Sequence, residues 1–121
     1  MSAIYETRVM GSGPEAASFA EMNMLVLFGE DAPDMLKEYC YFITLAPVEG
    51  VIAPGQDLVI NETRYPITAV GDVAGRNLAN LGHISVVFDG ATEPHLPGSI
   101  NVSNPGTVVP VLVEGDTLTI E

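Results

Sequence analysis

Two imidazoles, one thiol and one glycine-rich turn are the groups in this chain whose types could do chemistry. Histidine comes first, because its ring nitrogens act as base or nucleophile near neutral pH. His83 follows Gly82 and opens the alternating segment Ile84-Ser85-Val86-Val87-Phe88, which puts it on the face of Ser85 and Val87. By itself that position predicts a structural histidine bonded to a nearby loop. His95 stands in Thr92-Glu93-Pro94-His95-Leu96-Pro97, between two prolines, and reads as a solvated loop residue. Cys40 lies between Tyr39 and Tyr41 with no Lys, Arg or His beside it to lower its pKa, so a buried, inert thiol is expected. Gly11-Ser12-Gly13-Pro14 lacks the Lys-Ser/Thr of a phosphate-binding loop, and Pro14 removes an amide donor, so it reads as a turn. Glu30, Asp31 and Asp34 crowd one predicted helix start, where the helix dipole favours acidic side chains.

No Cys/His spacing resembles a zinc site, and no metal or cofactor is expected. Sixteen Asp and Glu face four cations, Arg8, Lys37, Arg64 and Arg76, for a formal charge of -12. A surface of that sign repels phosphate backbones, which argues against nucleic acid and anionic membranes as partners. No apolar run approaches the roughly 18 residues that would span a bilayer, so no membrane insertion is expected. The first residues show no basic region followed by an apolar stretch, and the expectation is a cytoplasmic protein.

The elements that must position these groups are mostly strands. At 121 residues the chain is long enough for one domain with a real core and too short for two, so residues 1–121 are read as a single domain. Hydrophobic residues make up 47% and charged residues 17%, well below the usual charged share of about 25%, which excludes charge-driven disorder. Short apolar or alternating segments bounded by Gly, Pro, Asn or Asp predict strands at 4–10, 23–29, 41–45, 58–60, 65–70, 83–88, 99–102, 108–113 and 117–120. Asn61-Glu62 is spaced for a two-residue hairpin, and Glu114-Gly115-Asp116 for a tight turn.

Two short helices interrupt the strands. The first has Pro33 at its first helical position, Asp31 or Ala32 as cap, and its end near Cys40. The second is capped by Asp72, presents Val73, Asn77 and Leu81 on one face, and stops at Gly82. Both are too short to stand alone and are expected to close the ends of an all-β, closed or nearly closed small barrel. The segments 53–60 and 112–120 echo one another as a Gly turn, a polar pair and an alternating strand, although any small β domain reuses such turns. Exposed edges and a long apolar strand at 108–113 would be covered by a homodimer.

Glu38-Tyr39-Cys40 before an apolar strand, Arg64-Tyr65-Pro66-Ile67-Thr68-Ala69-Val70-Gly71, and Asn77-Leu78-Ala79-Asn80-Leu81-Gly82-His83 together resemble the glucitol/sorbitol-specific IIA component of the bacterial phosphoenolpyruvate-dependent sugar phosphotransferase system. The opening Ile4-Tyr5-Glu6-Thr7 is similar too, and the likeness runs nearly end to end. The resemblance implies a cytoplasmic phosphocarrier that takes a phosphoryl group from phosphorylated HPr and passes it to a IIB domain of a IIB/IIC permease, without metal. In the family the phosphorylated histidine stands three residues after the Cys of E-Y-C, and a second histidine often follows two positions later. Those positions here are Ile43 and Leu45. The retained Leu81-Gly82-His83 leaves His83 as a substitute acceptor, or as the former partner of the acceptor position. The alternative is a IIA-like binding or regulatory domain that takes no phosphate.

Overall fold

The computed structural model describes residues 3–103 and 109–121. Eight strands close into one barrel: β1 (Tyr5–Ser12), β2 (Met24–Phe28), β3 (Tyr41–Ile43), β4 (Asp57–Ile60), β5 (Thr63–Val70), β6 (Ile84–Val87), β7 (Ser99–Val102) and β8 (Thr117–Ile120). Around the barrel the order is β1-β3-β2-β6-β7-β5-β4-β8, and β8 pairs back onto β1. Two neighbouring pairs, β2 with β3 and β6 with β7, run parallel and the rest antiparallel.

Period-two patterning builds the wall. In β1, Tyr5, Thr7 and Val9 are buried while Glu6, Arg8 and Met10 face water. Val9, Leu25, Leu27, Tyr41, Ile43, Leu58, Ile67, Ile84, Val86 and Ile100 meet in the central core. β7 is buried on both faces, because the loop 89–98 covers its outer side: Ser99 Oγ donates to the Leu96 carbonyl at 2.9 Å, and Asn101 Nδ2 donates to Asp89 at 2.8 Å.

Two turns behave as their residues predict. Ile60 pairs with Thr63 across Asn61-Glu62, and Asn61 takes the left-handed conformation at φ 56 that Asn tolerates. Gly115 adopts φ 96 and donates to the Val9 carbonyl at 2.8 Å, while Asp116 Oδ2 accepts the Val113 N–H at 2.8 Å. The echoing segments end as neighbours: β4 and β8 pair antiparallel, Leu58 opposite Ile120, and each is led by a left-handed glycine, Gly55 and Gly115.

Several expectations need correction. The described part of the segment 108–113 is not a strand, and Val108 lies outside the described residues; Pro110 supplies no ladder donor, and Val111 and Val113 are exposed. The closed barrel leaves no free edge among the described strands, so the edge argument for a homodimer lapses. α1 (Asp34–Lys37) starts one residue after Pro33, which is its cap, and buries no side chain of its own. It does not close an end; Ala32 and Cys40, which flank it, pack with Phe28 on the outside of the wall. α2 (Ala74–Leu81) is capped by Val73 rather than Asp72, and its buried residues are Ala74 and Leu78, with Leu81 exposed. Ala74 and Leu78 belong to the central core beside Ile52, so α2 does plug the barrel. A 3-10 segment, Ala16–Met22, was not expected; it lies beside β2 and puts Ala16 into the core.

Candidate functional site

The site around His83 is built by a close approach of two glycines. Gly82 ends α2 at φ 68, its N–H donating to the Leu78 carbonyl at 3.0 Å, the bond of a left-handed helix stop. Gly29, just after β2, donates to the Leu81 carbonyl at 2.9 Å. A methyl group on Gly82 would meet the Gly29 nitrogen at 2.8 Å, and one on Gly29 would meet the Leu81 carbonyl oxygen at 2.7 Å, so each position is held to glycine. The Leu45 side chain, at the position the resemblance implies for a second histidine, packs beside the same pair, its Cδ2 3.2 Å from where a Gly82 Cβ would stand.

His83 therefore enters β6 next to the end of β2. Its Nδ1–H donates to the Leu27 carbonyl at 3.2 Å, because a carbonyl can only accept. That fixes the tautomer and leaves Nε2 with its lone pair. The half-buried ring stacks on Phe28, centroids 4.3 Å apart and planes 26° from parallel. The sequence predicted a bond to a nearby loop, whereas the acceptor is a carbonyl of strand β2; the stacking partner was not legible either, since Phe28 is brought in by sheet register.

Ile43 is elsewhere. It is 0% exposed, pairs with Val9 and belongs to the central core, whereas Phe28, against which His83 stacks, belongs to the outer cluster with Ala32 and Cys40. Alternation along β2 and β3 explains the split: Leu27, Tyr41 and Ile43 point in, and Val26, Phe28 and Phe42 point out. Leu45 packs against Gly82, the residue before His83, while Ile43 belongs to the central core.

His95 is the solvated loop residue expected, with one attachment the sequence did not indicate. It is exposed, but its Nε2–H donates to Asp89 Oδ2 at 2.7 Å. Asp89 Oδ1 accepts from the Ala91 N–H at 3.0 Å and from Asn101 Nδ2 at 2.8 Å. Burial works to raise the Asp89 pKa, but the bonds from His95, Ala91 and Asn101 outweigh it and hold the carboxyl at about 2. Cys40 is buried and burial pushes its thiol up, which agrees with an inert role. Gly13 forms a turn whose N–H donates to the Cys40 carbonyl at 2.9 Å. Among the described residues no group of three or more His, Cys, Asp or Glu is placed to hold a metal ion.

Comparison with known proteins decides the setting of this site. A family model described as the glucitol/sorbitol-specific IIA component of the phosphotransferase system matches residues 4–119. The chain belongs to the glucitol/sorbitol-specific IIA family. It is 39% identical over 105 residues to the glucitol/sorbitol-specific EIIA components of Shigella flexneri and of Escherichia coli K12, covering 87% of this chain and 85% of each relative. Its barrel also superposes on the crystal structure of a phosphotransferase-system IIA component from Enterococcus faecalis V583 with a TM-score of 0.80 at 28% identity, covering 94% of this chain and 97% of that one. No helix among the described residues is long and apolar enough to cross a membrane.

Proposed function

We propose that this IIA family member carries a phosphoryl group between phosphorylated HPr and the IIB component of a hexitol permease, and that His83 Nε2 is its acceptor. The observation that supports this is the bond from His83 Nδ1–H to the Leu27 carbonyl, which orients the ring and leaves Nε2 nucleophilic. In the forward step the Nε2 lone pair attacks phosphorus. The N–P bond of the donor imidazole breaks with its electron pair on the donor nitrogen. The new imidazolium keeps its Nδ1–H on Leu27, and the return step runs the same bonds in reverse toward IIB. Phe28 holds the ring plane by stacking. With sixteen acidic side chains against four Lys and Arg and a formal charge of -12, a basic partner face complements this chain.

A second reading, a IIA-like domain that docks without accepting phosphate, is favoured by one observation: the inherited acceptor position is Ile43, fully buried in the core. Intact-protein mass after incubation with phosphoenolpyruvate, enzyme I and HPr separates the two. A single phosphoryl adduct that disappears in His83→Gln is the expected result. No adduct on the wild-type chain, with active upstream proteins, selects docking without transfer.

A further inference from the structure

Asp89 and His95 form a second, independent imidazole site on the loop that covers β7. Its carboxylate is positioned from beneath: Asn101 is 0% exposed and its amide nitrogen donates to Asp89 Oδ1 at 2.8 Å. Asn101 Oδ1, in turn, is buried with no hydrogen-bond partner among the described residues. An orphaned buried carbonyl oxygen is destabilising, so this amide is kept at a cost where an apolar residue would pack freely. The Ala91 N–H adds a second donor to the same oxygen at 3.0 Å. The other oxygen, Oδ2, is thereby aimed at His95 Nε2, 2.7 Å away.

A carboxylate cannot donate, so the shared proton sits on His95 Nε2 and the lone pair on Nδ1. The His95 side chain remains 55% exposed, so Nδ1 is within reach of an incoming group. Beside it lies a depression of about 300 Å³ lined by Met22, Met24, Val87 and Leu96, with Asn23 and Ser85 supplying polar groups. The arrangement is that of an oriented nucleophile with a counter-charge behind it.

We infer that the Asp89–His95 pair is a second phosphoryl-accepting site, loaded on His95 Nδ1 by donors whose phosphoryl group is carried on nitrogen. The inference rests on the phosphocarrier reading for the class of donor, while its geometry is independent of His83. In the step, the Nδ1 lone pair forms the new N–P bond as the donor's N–P bond breaks with its pair on the departing, already protonated nitrogen. The ring becomes a phosphorylated imidazolium, and Asp89 at the Nε2–H faces its positive charge. Asp89 acts as a positioning residue, since it touches the ring and not the transferred group.

Phosphoramidate, a small N–P donor that needs no protein docking, tests this directly. Labelling is followed by intact mass and peptide mapping at alkaline pH, which preserves phosphohistidine. In the His83→Gln chain one phosphoryl group is expected on His95, and none in the His83→Gln/His95→Gln double variant. Asp89→Asn in the His83→Gln background is expected to slow labelling about tenfold, with Asp89→Glu restoring part of the rate. Absence of label on His95, a rate unmoved by Asp89→Asn, or no recovery of rate in Asp89→Glu, overturns the inference. Failure of phosphorylated HPr to label the wild-type chain while phosphoramidate still labels His95 overturns the proposed function alone.

Discussion

The imidazole of His83 lies against the ring of Phe28, 4.3 Å between centroids, while its Nδ1 is bonded to the carbonyl of the preceding residue, Leu27. One strand end thus sets both the plane and the tautomer of the ring. Position 43, which the family resemblance implies as the acceptor position, is on the inner face of the wall in this chain and filled by Ile43. The chemistry available here is consequently that of the two remaining imidazoles.

Ile43→His tests that inner placement. A polar ring in the apolar core would lose the burial of an isoleucine and leave ring nitrogens short of partners, so a loss of about 2–4 kcal/mol in urea unfolding is expected. Unchanged stability would show that position 43 is reached by water.

Gly82→Ala is expected to cost about 2–3 kcal/mol, from the positive φ together with the contact on Gly29. Because the same contact seats His83, the ring nitrogen shifts of His83 in NMR spectra should move in this variant. A fall in melting temperature with His83 shifts unmoved would separate the glycine stop from the site.

Tyr5 carries a buried hydroxyl without a hydrogen-bond partner among the described residues, and burial pushes its pKa up to about 12. A raised folded pKa means the stabilising effect is whole below the ordinary tyrosine value, about 10, and is lost as pH climbs toward 12. Wild-type protein should therefore lose stability across that alkaline window, and Tyr5→Phe should flatten the dependence and gain about 1 kcal/mol at neutral pH by removing the orphan hydroxyl. Equilibrium unfolding at a series of pH values reads both effects.

At the acid end the sign is opposite. Asp89 is held at about 2 in the folded chain, below the ordinary carboxylate value of about 3.9. Its contribution is present above the ordinary value and lost as pH falls through the folded one. Asp89→Asn should lower stability at neutral pH and remove the part of the acid-induced loss that falls between about 4 and 2, as seen in unfolding curves across that range.

The sequence alone carried most of the architecture, because β periodicity and glycine stops are local signals. Alternation in Tyr5-Glu6-Thr7-Arg8-Val9-Met10 and the left-handed stop at Gly82 could be read without any partner strand. The family resemblance also ran along the chain in contiguous motifs. What the sequence misread was apolar character without strand pairing, as in 109–113, and helix faces whose burial depends on what lies across from them, as with Leu81 and Leu78. Only the tertiary structure decided the sites. Leu27 and His83 are 56 residues apart and meet because β2 pairs with β6, placing Leu27 opposite Ile84. Asp89 and His95 are six apart, yet their bond depends on a buried Asn101 that reaches the loop from β7. Whether position 43 faces core or water is set by barrel closure, in which the inward half of each strand loses contact with solvent. Local pattern fixes which residues alternate; closure and register fix which side of the wall they face and whom they touch.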